Sequence, residues 1–185
     1  MMLLSATIFL FSCKEDENKS VNTDEGTYYS IRQFAQDQWN YNMGAPFVIL
    51  KTVRVNGGKV DSSYTNSDTL NWGHIFDLFF QCDISDPSFL GKYKYSFFED
   101  EEQDTYDVFY EALDEDLYTK KFLVTASQEN KLIRGIYIEA SEKTPFNDKI
   151  VKLYYKPMKR IQIQVTDKPL FGKKKHVVTE YEFIR

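Results

Sequence analysis

Two cysteines, two histidines, five prolines and eight glycines are all that this chain of 185 residues has of the types that usually announce chemistry or mark breaks in structure. With so little cysteine, a disulfide scaffold and any Cys-x-x-Cys metal or redox site are excluded. His74 and His176 stand in no His-Glu-x-x-His or comparable ligand spacing, so both read as structural or solvated. The glycines form no phosphate loop and frame no Gly-x-Ser-x-Gly nucleophile elbow. Positive charge is short as well. The net charge is −5 and Lys173-Lys174-Lys175 is the one basic run, which argues against nucleic acid as a partner. Gly172 just before that run marks it as a solvated hairpin turn. No apolar run reaches the roughly 20 residues of a membrane-spanning helix. No motif calls for a metal or an organic cofactor.

Aromatic residues are what the chain has in excess, at 16% of all positions, dominated by 15 phenylalanines and 13 tyrosines. Two explanations compete. Aromatics favour pleated, half-buried surfaces, so a β-rich fold accounts for them by packing alone. A concave sheet lined with rings would instead take a lipid, a sugar or a peptide. For that second case the strand positions Tyr93, Tyr95, Phe97, Tyr106, Tyr110, Tyr137 and Tyr154 are the candidate ligand contacts.

The apolar segment at residues 3–11 is about nine residues long, the length of a signal h-region. It ends in Leu10-Phe11-Ser12-Cys13 and then turns acidic. This order resembles the signal of bacterial lipoproteins, in which a small residue precedes the cut and the cysteine becomes the lipidated N-terminus. The resemblance implies a signal peptide at 1–12, acylation of Cys13, and a protein held by its acyl chains, palmitate among them, in the outer membrane of a cell envelope. Residues 14–26 hold one aliphatic side chain and no periodicity, so 13–26 is expected to be a flexible tether. Cys13 followed by Lys14-Glu15-Asp16-Glu17 also resembles the export signal of surface lipoproteins in the Bacteroidetes group. With Cys13 acylated, Cys82 has no partner, and its apolar setting after Phe79-Phe80-Gln81 predicts a buried, inert thiol.

Residues 27–185 suit one domain. The stripe Ile31, Phe34, Ala35, Gln38 and Trp39 predicts a helix over 29–40 with Ser30 as its N-cap. Trp72, Ile75, Phe76, Phe79 and Phe80 predict a second helix over 71–82, capped by Asp68 or Thr69 and stopped by Asp86-Pro87. Between them, apolar residues 47–55, then Asn56-Gly57-Gly58, then alternating residues 59–64 predict a β-hairpin. From Gly91 onward the chain reads as successive strands near 93–97, 106–112, 117–126, 131–140, 150–155, 161–166 and 176–184, with a longer turn over 169–175. No helix separates them, so they pair antiparallel, mostly between neighbours. The expected class is therefore α+β: a curved antiparallel meander sheet of about eight or nine strands, with curl enough for a half-barrel, and two amphipathic helices packed on one face. That shape is similar to periplasmic lipoprotein carriers and related half-barrel lipoproteins.

Acidic clusters at 99–104 and 114–116 lack the glycine and terminal glutamate of a calcium loop and read as solvated turns, and Asp83 with Ser85 and Asp86 is a weaker grouping of the same kind. Glu111, Glu139, Glu180 and Glu182 lie in strands where alternation places them on the wet face. The expected function is a non-enzymatic binding or interaction module of the envelope, touching the membrane through its lipid and taking a small apolar ligand or an envelope protein as partner. A structural accessory subunit that pairs through its sheet edge is the alternative. A glycan or peptide hydrolase using the strand carboxylates comes last, since it needs two carboxyls in one cleft.

Overall fold

The computed structural model describes residues 27–42 and 47–184. The proposed signal, Cys13 and the tether lie outside them, as do residues 43–46 and Arg185. Helix α1 (Ile31–Asn42) is followed by a hairpin of β1 (Val48–Val55) and β2 (Val60–Asn66), a short 3-10 turn, and helix α2 (Trp72–Gln81). Seven strands complete the described chain: β3 (Tyr93–Asp100), β4 (Thr105–Ala112), β5 (Thr119–Ser127), β6 (Ile133–Lys143), β7 (Asn147–Lys156), β8 (Arg160–Pro169) and β9 (Lys175–Ile184). All nine strands form one curved, open antiparallel sheet in the order β2-β1-β9-β8-β7-β6-β5-β4-β3.

The elements form where local chemistry asks for them. Asn56 and Gly57 have φ of 51° and 72°, which gives the β1–β2 turn the left-handed pair that an Asn-Gly turn supplies at least cost. Ser30 Oγ accepts from the amide of Gln33 and so caps α1. Asp83, from the segment after α2, reinforces that cap: its Oδ1 accepts from Ser30 Oγ and from the Arg32 amide. The cap of α2 corrects the sequence expectation. It is Asn71, whose Oδ1 accepts from the His74 amide at 3.0 Å, while Thr69 ends the 3-10 turn Ser67–Thr69. Asn71 is closer to the first helical turn than Asp68 or Thr69, and its side chain is short enough to reach the third amide.

Alternation divides the sheet cleanly. Ile49, Phe183, Ile161, Leu153, Ile138 and Phe122 share the face covered by the helices, and all are buried. Tyr155 is the point where the layers lock. It sits on β7, the middle strand, and is fully buried. Its ring meets Phe34 of α1 at 5.5 Å and Phe76 and Phe79 of α2 at 6.0 and 6.3 Å, each edge to face. Its hydroxyl donates to Gln38 Oε1 of α1 at 2.7 Å. Trp72 extends the same packing toward β9 by stacking on Phe183, with its indole N–H satisfied by the Ser67 carbonyl.

Removing this ring strips both helices of their common contact. Tyr155→Ala is expected to cost about 3–5 kcal/mol in urea unfolding. Tyr155→Phe, which keeps the ring and removes the hydroxyl bonded to Gln38, should cost about 1–3 kcal/mol. Equal effects of the two substitutions would show that the ring packing carries none of the cost.

Candidate functional site

The seven aromatic candidates do not gather in one place. Tyr93 and Tyr110 are only 5% exposed and belong to the core, where Tyr28 wedges between them at 5.8 and 5.3 Å. Burial pushes the Tyr93 phenol up to about 12. Tyr95, Phe97 and Tyr106 are on the same face nearer the β3 edge, with Phe97 and Tyr106 rings 5.3 Å apart and Lys131 Nζ 3.9 Å above Tyr106. Tyr137 and Tyr154 point the other way. They are directly paired across β6 and β7 on the face the helices leave open.

That open face is ordered in rows. One row runs Lys94, Glu111, Lys121, Glu139, Lys152 across five strands, alternating in sign at every step. Lys152 Nζ lies 2.7 Å from Glu139 Oε1, and Lys121 lies 3.8 Å from Glu111. Partial burial pulls the Glu139 carboxyl up, but hydrogen bonds from Lys152 and from the Tyr137 hydroxyl outweigh it and hold the group below the ordinary glutamate range. The same contact raises Lys152. Glu139 is thus a firmly ionised partner rather than a proton donor. The neighbouring row is apolar: Phe109, Leu123, Tyr137, Tyr154, then Gln162 and Glu180. Glu111, Glu139, Glu180 and Glu182 all occupy this face, as alternation predicts.

Two hollows open beside the apolar row. The smaller, about 290 Å³, lies over Gly135, where the sheet lacks a side chain, and is walled by Leu123, Thr125, Tyr137 and Tyr154. The larger, about 540 Å³, follows the β7–β8 turn past Met158 to Glu182. Both share Tyr154 and Lys156, so these two residues mark where they meet. Arg134, Lys156, Lys159 and Arg160 bring four cations to their walls against Glu182. Arg160 is held by Glu180 at 2.9 Å, and Arg134 is turned toward the Gln103 carbonyl and Ser127. Lys156 and Lys159 make no ion pair among the described residues. The sequence signal for this place was Gly135 alone, an isolated glycine inside a strand pattern, where a close approach or a gap in the surface is the usual reason.

The remaining candidates have structural employment. Cys82 is fully buried, and that burial pushes its thiol up to about 12, away from the reactive thiolate. His176 bonds Thr166 through Nδ1 and, through its backbone, Asn56 of the hairpin turn. Asp83, with Ser85 on its second oxygen, is committed to the start of α1. Asp100 and Asp114 each accept from an amide within their own turns. No group of three or more metal-ligating side chains exists among the described residues. No helix among them is long and apolar enough to cross a membrane. In comparisons with known proteins, no family model, curated protein or solved structure matches the chain.

The charged row yields a pH test. Because the Glu139 pKa is lowered on folding, its contribution is present above the unfolded glutamate value and is lost as pH falls through the folded one. Glu139→Gln is expected to cost about 1 kcal/mol near neutrality, a modest figure because the pair is partly exposed to solvent. Urea titrations should show that difference shrinking as the pH drops well below 4.5, the ordinary glutamate value. A deficit that persists in acid would place the effect in packing instead.

Proposed function

We propose that the chain is a lipid-anchored, non-enzymatic binding module of the cell envelope that works from the open face of its sheet. The observation that carries this reading is the allocation of space. Aromatic side chains of both helices fill the region under the sheet, whereas the smaller hollow lies on the opposite, uncovered face and the larger, which meets it at Tyr154 and Lys156, sits at the β7–β8 end of the sheet and reaches Phe183. A small apolar ligand held between helices and sheet gains no support from such packing. A surface ligand does.

The hollow suits a ligand with ring surface and negative charge. Tyr137 and Tyr154 offer amphipathic walls of the kind that pack on the apolar faces of sugars, and Lys156 and Lys159, which have no ion-pair partner among the described residues, offer ammonium groups for a carboxylate. An acidic glycan of the envelope is the ligand class that fits. Chemistry on that glycan is not required: Glu139 is held ionised by its neighbours, and Glu180 is engaged by Arg160 and Gln162. A lipid anchor at Cys13, part of the same proposal, would hold the domain among such polymers.

The edge of the sheet favours a second role, that of an accessory subunit. β3 ends the sheet, and it carries Phe97 and Phe98 exposed on its two faces at 51% and 57%. Such an edge is a template for a partner's strand.

Two experiments test the proposal. Gly135→Leu fills the smaller hollow with a side chain. Its β-carbon meets nothing nearer than the Tyr155 carbonyl at 3.9 Å, so the strand accommodates it. An oligosaccharide panel of uronic-acid and neutral chains should show capture of the acidic members by the wild type, and loss in Gly135→Leu and Lys156→Glu at unchanged melting temperature. Capture that survives both substitutions would move the site elsewhere. For the anchor, an alkyne-palmitate label should enter the full chain in its native envelope and be absent from Cys13→Ala. Equal labelling of the two would rule the anchor out.

A further inference from the structure

The basic run Lys173-Lys174-Lys175 takes no part in the hollow. It lies at the opposite end of the strands, where it keeps company with side chains that water does not favour. Phe146, at the tip of the β6–β7 loop, is 73% exposed. Leu170 and Phe171, at the tip of the β8–β9 loop, are 62% and 84% exposed. These two loops are not independent. The Leu170 amide donates to the Phe146 carbonyl at 2.8 Å, and Asn147 pairs with Pro169 in the sheet just beneath. The three apolar side chains therefore share one projecting tip.

Its surroundings are cationic. The segments 143–149 and 167–175 hold six lysines against two aspartates, in a chain whose net charge is negative. The aspartates are both in the ladder below the tip: Asp148 opposite Lys143 and Lys168, Asp167 opposite Lys149 and Lys175. Lys173 and Lys174 stand clear of it, exposed in the loop itself. Exposed phenylalanine and leucine ringed by lysine is the pattern of a surface that sinks into the headgroup layer of a bilayer, the rings entering the acyl boundary and the ammonium groups meeting lipid phosphates. The lysines beside the exposed rings favour an anionic lipid surface over an apolar protein platform, which would leave their ammonium groups without partners.

We infer that the joined β6–β7 and β8–β9 loops are a docking tip for an anionic lipid surface, with Phe146, Leu170 and Phe171 as the inserting side chains and Lys173 and Lys174 as the headgroup contacts. Such docking requires neither the Cys13 anchor nor a glycan in the hollow. It does orient the molecule. β7 runs from the tip at Asn147 to the hollow at Lys156, ten residues or roughly 30 Å of strand, so a docked domain holds the hollow away from the bilayer.

The test uses the full chain carrying Cys13→Ala, so that no acyl chain contributes, and measures co-sedimentation with vesicles of phosphatidylcholine alone or mixed with phosphatidylglycerol. The expected result is binding to the anionic vesicles that weakens as salt is raised, over whatever residual binding the neutral vesicles show. Phe146→Ser with Phe171→Ser should reduce that binding by roughly tenfold or more, and Lys173→Glu with Lys174→Glu by a similar factor. All four positions are exposed, and unchanged melting curves would confirm that the variants fold. Equal affinity for neutral and anionic vesicles would overturn the inference. So would an absence of binding to the anionic vesicles, or binding that neither pair of substitutions weakens.

Discussion

One buried tyrosine in the middle of the sheet decides how the rest of the molecule is used. Tyr155 faces both helices from the central strand, presents its edges or face to three phenylalanines, and donates a hydrogen bond to Gln38 Oε1. A phenol this deep is costly unless its hydroxyl is satisfied, and burial accordingly raises its pKa far above the ordinary tyrosine value. Because one ring serves both α1 and α2, neither helix can shift without disturbing the other. The helix layer is thereby fixed on one face, and the space under the sheet is taken up by packing.

The two faces of the sheet consequently divide the labour. The covered face is apolar across its width, from Ile49 on β1 to Phe122 on β5. The open face must remain wet and yet keep its register, and over five of the nine strands charge does both. A row of lysines and glutamates that alternates from β3 to β7 meets both needs, since a slip of one strand by two residues would break the opposite-charge pairing. Each pair is worth little alone, because the partners are partly exposed. Their value lies in specificity, and in leaving the adjoining tyrosine row and its hollows as the accessible relief on an otherwise regular surface.

Much of this was legible in the chain. Asn56-Gly57 between two strand-like runs specified the hairpin, and the aromatic stripes specified both helices to within two residues at either end, because each signal is local. The strands after Gly91 were legible for the same reason. The pairing of β1 with β9 was not, since nothing local in Val48–Val55 names a partner more than a hundred residues away. Tyr154 and Tyr155 show the limit of composition most plainly. They are adjacent and chemically identical, and only the register of β7 sends one to the open face and the other to the core. The same ambiguity spread seven aromatic candidates over two faces of the sheet. Lys156 and Lys159 could not be singled out among 23 basic residues until the turn at Met158 brought them to a hollow.

The central claim is that the helices close the underside of the sheet and leave recognition to its surface. Native mass spectrometry of the protein purified from its own cells, followed by organic extraction of the same sample, tests it most directly. A closed underside predicts the mass of the polypeptide with whatever is covalently attached to it and no stoichiometric, non-covalently held apolar molecule in the extract. A lipid-like compound recovered at one equivalent, and lost on Tyr155→Ala, would place a ligand under the sheet and contradict it.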